Sequence, residues 1–173
     1  YYQKALELDL SYSEAYLGLG FLKELKFEPM AAMSFYQKAI QADHMNVNAH
    51  LLLSNLLCSR DKHQEASILI QDYLEEEDGI EEIWLELGEI YSKQGEFQKA
   101  IDTMNRGIEN AVSNEKLWLK KVVYLHKKGA AKESLELMRE LLEEDRSISN
   151  TVKEFCSNLL DDSDFANLFS HYT

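Results

Sequence analysis

One proline and seven glycines in 173 residues leave few points at which a helix must stop. With Leu, Glu, Lys and Ala throughout, that scarcity favours helix over sheet. Only two cysteines occur, Cys58 and Cys156, far apart in sequence. They make neither a disulfide framework nor a metal site, and they point weakly to a reducing compartment. No run approaches the roughly 18 apolar residues of a membrane span. The most apolar stretch, Ala49 to Cys58, is broken by His50, Ser54 and Asn55. Positive charge is scarce as well, with 18 basic against 31 acidic residues and a formal net charge of -13. Phosphate backbones and anionic membrane surfaces would repel such a chain. Solubility alone accounts for the excess, which would also steer basic partners inward.

Catalytic signatures are missing too. The five histidines (44, 50, 63, 126 and 171) show no metal-ligand spacing. The acidic run from Glu75 to Gly79 lacks the spacing of a calcium loop. There is no phosphate-binding loop, dinucleotide fingerprint or nucleophile elbow. The chain is therefore not expected to be an enzyme, and no cofactor or metal is expected.

What is present is a period. Stretches beginning at Ser13, Val47, Glu81 and Glu115 share one pattern at a constant step of 34. The fourth column holds Tyr16, His50, Trp84 and Trp118. The eighth holds Gly20, Ser54, Gly88 and Val122. The twentieth holds Ala32, Ala66, Ala100 and Ser134, and the twenty-seventh Ala39, Tyr73, Gly107 and Leu141. Trp84, Leu87, Gly88 and Tyr91 fall at i, i+3, i+4 and i+7, one face of a helix. Each unit therefore reads as two helices of about 13 residues, packed closely through the small columns. Gly95 and Gly129 mark turns inside hairpins, and Pro29 opens a second helix. Asp9, Asp43 and Asn114 fall between hairpins, where turns and caps are needed. Lys121 stands for a core Leu and Val122 for a small residue, so the fourth unit should pack least regularly.

These columns resemble the tetratricopeptide repeat, whose first helix carries W-x-x-L-G-x-x-Y and whose second carries A-x-x-x-F-x-x-A. The third unit matches best. The resemblance implies an all-α, right-handed superhelical solenoid of antiparallel helix hairpins. It divides the chain into four repeats, 13–46, 47–80, 81–114 and 115–148. Residues 1–12 would end a preceding, truncated repeat. Residues 149–173 would supply a capping helix and an aromatic tail.

The family lines its concave surface with inward columns of the first helices. Carried over, these include Leu17, Phe21, Leu51 and Asn55, then Glu86, Glu89 and Lys93, then Lys116, Lys120, His126 and Lys127. With Leu25 and Leu52, the groove runs from apolar through acidic to basic. A subset of the family clamps the acidic tails of heat-shock chaperones. Asn55, Lys116 and Lys120 fit that clamp, but Leu51 and Glu86 stand where it needs Lys and Asn, and Glu86 would repel a ligand carboxylate. The expected function is therefore a non-catalytic scaffold holding a protein or peptide segment in the groove. The alternative is a structural or oligomerisation segment of a larger protein that self-associates through its groove or ends. No nucleic acid and no membrane insertion are expected, and the expected location is cytoplasmic.

Overall fold

The computed structural model describes residues 12–172. The segment read as the end of a preceding repeat lies almost wholly outside them, as does Asp9. Among the described residues there are ten α-helices, two short 3-10 turns and no strand. The chain divides into two compact units, Tyr1–Glu77 and Asp78–Thr173.

The first unit holds two hairpins, α1 (Ser13–Leu25) with α2 (Pro29–Ala42) and α3 (Val47–Cys58) with α4 (His63–Glu76). The second holds α5 (Glu81–Lys93) with α6 (Phe97–Asn110) and α7 (Glu115–Lys128) with α8 (Ala131–Glu144). After them come α9 (Ser149–Phe155) and α10 (Ser163–Ser170).

Each hairpin is closed by complementary volumes. The Gly20 backbone lies against the Tyr36 ring, so that a Cβ there would come within 2.4 Å of it. Gly88 makes the same room for Met104. In the fourth hairpin Val122 and Met138 occupy these places, both buried. The fourth and twenty-seventh columns trade size. In the third hairpin the wide Trp84 ring faces Gly107, where a Cβ would meet Trp84 Cβ at 2.9 Å. The smaller His50 meets Tyr73 edge-on, with ring centroids 4.9 Å apart. Ala32, Ala66, Ala100 and Ser134 are fully buried. Ser134 Oγ also donates to Val122 O at 2.7 Å. Lys121 stays on the surface side, its ammonium 5.0 Å above the Trp118 ring.

All four first helices end alike. The backbone N–H of the sixteenth column bonds back to the eleventh, as in Glu28 to Lys23 and Glu96 to Tyr91. The fifteenth column bonds to the twelfth, as in Phe27 to Glu24 and Gly95 to Ser92. This double closure needs a left-handed residue between the helices. Gly95 and Gly129 supply it with φ of 75 and 92, and in the first unit Phe27 and Asp61 do so with φ of 58 and 59.

Between hairpins, the cap of α3 is Asn46, whose side chain accepts from Ala49 N at 3.0 Å. Asp43 instead closes the preceding turn, accepting from Met45 N at 3.1 Å. Asn114 makes no side-chain cap on α7, and its amide donates to Ile108 O at 3.2 Å. Past α8, Val152, Cys156, Leu159, Phe165 and Phe169 are buried. Cys156 Sγ points at Leu119 O, 3.7 Å away, and burial pushes its thiol up to about 12. Such a thiol stays protonated and inert at neutral pH.

Candidate functional site

In the first unit the columns expected to meet a ligand lie on α1 and α3. A shallow depression of about 460 Å³ is lined by Tyr12, Glu14, Leu17, Gly18, Phe21, Asn48 and Leu52. It opens because Gly18 carries no side chain in a column that elsewhere holds Leu52, Glu86 and Lys120. Leu17 and Phe21, both chosen from the sequence, line it. Leu17 is buried at its base, while Phe21 is exposed at its edge. Leu51 is half-buried outside the lining, and Leu52 takes the place beside Phe21. Asn55 turns its amide onto Leu51 O at 2.9 Å. Glu14 is the one charged side chain in the lining, and it accepts from the Asn46 amide at 3.0 Å.

In the second unit charged residues of α5 and α7 meet as pairs. Glu81 is buried and accepts from Lys116 N at 3.0 Å. The ammonium of Lys116 lies 3.6 Å from Glu81 and 4.0 Å from Glu82. Lys120 lies 3.5 Å from Glu89, which also accepts from Tyr124 Oη at 3.2 Å. Lys127 donates to Ser92 Oγ at 3.2 Å and sits 5.9 Å above the Tyr124 ring. Burial pushes the Glu89 carboxyl up. Lys120, Lys127, the Tyr124 hydroxyl and Lys93 together outweigh it and hold the group below its ordinary value of 4.5. The Tyr124 hydroxyl is driven far above its usual range by burial and by the Glu89 and Glu86 carboxylates. Lys93 is exposed, and Glu86 is half-buried. His126 meets Phe165 of α10 edge-on, with centroids 5.5 Å apart.

The sequence-chosen residues therefore separate by unit into an apolar face and a charged one. Glu89 is held mainly by the longer-range partners Lys120 and Tyr124. Glu81, which the column pattern did not mark, is buried between α5 and α7 and ties them through Lys116. Its signal was an acidic residue opening a helix whose neighbour hairpin begins 34 residues on. Among the described residues no His, Cys, Asp and Glu cluster could hold a metal.

Residues 81–111, spanning α5 and α6, match the family model of the tetratricopeptide repeat. Over that segment the chain carries a tetratricopeptide repeat. Solved structures share its tetratricopeptide-like solenoid fold. A crystal structure of MamA protein is 21% identical, covering 86% of this chain and 81% of that one, with a TM-score of 0.66. YrrB, described as a tetratricopeptide protein with an unusual peptide-binding site, is 17% identical over 99% of this chain and 90% of its own, with a TM-score of 0.60. The pilF protein of Pseudomonas aeruginosa is 18% identical over 99% and 85%, with a TM-score of 0.61. Identities this low carry the fold and no more. Nothing among curated protein sequences matches the chain. Tetratricopeptide proteins are in general non-catalytic scaffolds for protein and peptide partners. Among the described residues no helix is long and apolar enough to cross a membrane.

Proposed function

We propose that this tetratricopeptide chain holds a peptide segment of a partner protein against its first helices. The depression on α1 and α3 carries the reading. It is concave, walled by Leu17, Phe21 and Leu52, and holds a single charged side chain. Apolar anchors of a peptide would enter there, since burying such side chains supplies most of the affinity of helix-in-groove and extended-peptide recognition. In the second unit Glu86, Glu89, Lys93, Lys116, Lys120, His126 and Lys127 supply polar contacts on the corresponding columns. Lys116 and Lys120 already face carboxylates, so reversing them would disturb the hairpins themselves. Lys93 is exposed and is the cleaner probe.

The test is a random peptide library displayed on phage and selected on the whole chain. Enriched peptides should carry two or more apolar side chains. Their affinity should fall about tenfold in the Phe21→Ala, Leu52→Ala double variant, which is the loss of roughly 1.4 kcal/mol. Lys93→Glu should lower it by a few-fold. No enrichment, or binding indifferent to the double variant, would sink the proposal.

A further inference from the structure

The two units put different residues in the same register. In the second unit two ion pairs join α5 to α7. Glu82, in the second column, lies 4.0 Å from Lys116, in the second column of the next repeat. Glu89, in the ninth column, lies 3.5 Å from Lys120, in the sixth of the next repeat. The first unit has Glu14 and Asn48 in the first of these places, and Phe21 and Leu52 in the second. Phe21 and Leu52 exchange both charges for apolar side chains, so nothing is left over. Glu14 and Asn48 exchange only one. The carboxylate is kept, and a neutral amide stands where its cation would be.

That carboxylate is held in place. Glu14 accepts from the Asn46 amide at 3.0 Å, and Asn46 is itself buried and caps α3 through Ala49 N. Among the described residues no ammonium or guanidinium lies within ion-pair distance of Glu14, which is exposed in the wall of the depression. The depression has two ends. Glu14, Leu17 and Phe21 follow one another at i, i+3 and i+7 on α1, and Asn48 and Leu52 at i and i+4 on α3. Glu14 and Asn48 therefore mark a polar end, and Phe21 and Leu52 an apolar end about 10 Å further along the helices. Tyr12, just before α1, stands at the polar end with its ring half open to solvent.

We infer that Tyr12, Glu14 and Asn48 take the cationic head of a lysine or arginine of the bound peptide, in the register that Lys116 fills in the second unit. This rests on the reading above, since the same peptide lays its apolar anchors at the Phe21 end. The head meets the Glu14 carboxylate and the Asn48 amide oxygen. Its stem covers Leu17, as long basic side chains do over apolar surface. The Tyr12 ring adds a cation–π contact of the kind the chain already makes. Lys116 lies 6.0 Å from the centre of the Phe155 ring, and Lys127 lies 5.9 Å from that of Tyr124. A single ion pair in solvent contributes little, and the ring and the amide add to it. The preference for a basic residue is therefore a few-fold, enough to select a peptide without supplying most of its affinity.

The test selects the same phage library in parallel on the whole wild-type chain and on three variants, Glu14→Gln, Asn48→Lys and Glu136→Gln. Each variant makes the chain less negative by one charge. Glu136, exposed on α8, controls for that change alone. Asn48→Lys supplies from within the chain the cation that Lys116 supplies to Glu82. Peptides enriched on the wild type and on Glu136→Gln should carry Lys or Arg at a constant separation from an apolar residue. Those enriched on Glu14→Gln and Asn48→Lys should keep the apolar residues and lose the basic one. Isothermal titration of the most enriched wild-type peptide, and of its counterpart with Gln for the basic residue, measures the effect. The exchange should weaken binding about fivefold on the wild type, and leave it unchanged on Glu14→Gln and Asn48→Lys, with every chain still melting cooperatively. Apolar enrichment without a basic residue overturns the assignment and leaves the reading above standing. So does a basic preference that survives Glu14→Gln, or one that Glu136→Gln abolishes as well. No enrichment on any of the chains removes that reading and this assignment with it.

Discussion

Phe27 occupies a position that a glycine would fill without strain. Replacing it should relieve a left-handed backbone that costs a bulky residue about 1–2 kcal/mol. After glycine's own loss of chain entropy, Phe27→Gly is expected to stabilise by about 1 kcal/mol. A thermal melt of the single variant checks this, and a lowered midpoint would show that the ring packs in a way its exposure hides. The small columns make a paired prediction. Gly107→Ala places a methyl 2.9 Å from Trp84 Cβ, which is fixed to its backbone. Gly88→Ala meets the terminal methyl of Met104 at 2.5 Å and the Tyr124 ring less closely, at 3.2 Å. A flexible thioether gives way and an indole root does not. Gly107→Ala should therefore destabilise by about 1–3 kcal/mol, and Gly88→Ala by clearly less, as judged by urea unfolding. The residue scale was half legible in the sequence. Trp84, Gly88 and Ala100 announced their packing by type. Phe27 did not, because its residue type does not signal a positive φ, and only its register with Gly95 and Gly129 marks it.

At the scale of elements, apolar columns and turn residues are local signals, and the first helices of the described hairpins begin at Ser13, Val47, Glu81 and Glu115. The ties between hairpins were not legible, because they join side chains 31 to 35 residues apart. Glu81 is the clearest case. It satisfies an N–H in the first turn of α7 and faces the Lys116 ammonium. Glu81→Ala should cost about 1–2 kcal/mol, as removal of a helix cap does. Glu82→Ala, exposed on the same turn, should change stability by less than about 0.5 kcal/mol. Equal effects in denaturant titrations would contradict the assignment. In the first unit, His50 couples stability to pH. Burial holds its pKa below the ordinary 6.5, against the Asn46 carbonyl, Asp43 and Glu76, with His44 adding to the lowering. Below about pH 6.5 the unfolded chain takes up a proton that the folded one resists, so stability is lost as pH falls. The melting temperature should drop between pH 7 and pH 5, and the drop should be shallower in His50→Phe. Parallel slopes would remove His50 as the cause.

For the whole molecule, composition and period together point to a helical-repeat fold. Low proline and glycine counts excluded most sheet architectures, and the charge excess argued against phosphate-rich partners. The site was less legible. Inward columns name which side chains face a ligand, but not which of them are already engaged. Phe21 faces open space, whereas Lys116 faces Glu81 and Lys120 faces Glu89. Leu52 replaced Leu51 in the depression because Gly18 opens the space beside it, a consequence of packing rather than of type. The account's central claim is that a partner peptide lies on the first helices of the tetratricopeptide hairpins. The most direct measurement is a titration of the 15N-labelled chain with a selected peptide, followed by amide chemical-shift changes. The account predicts the largest changes at Leu17, Gly18, Phe21 and Leu52 on α1 and α3. Changes confined to α2 and α4, or none at a saturating concentration, would contradict it.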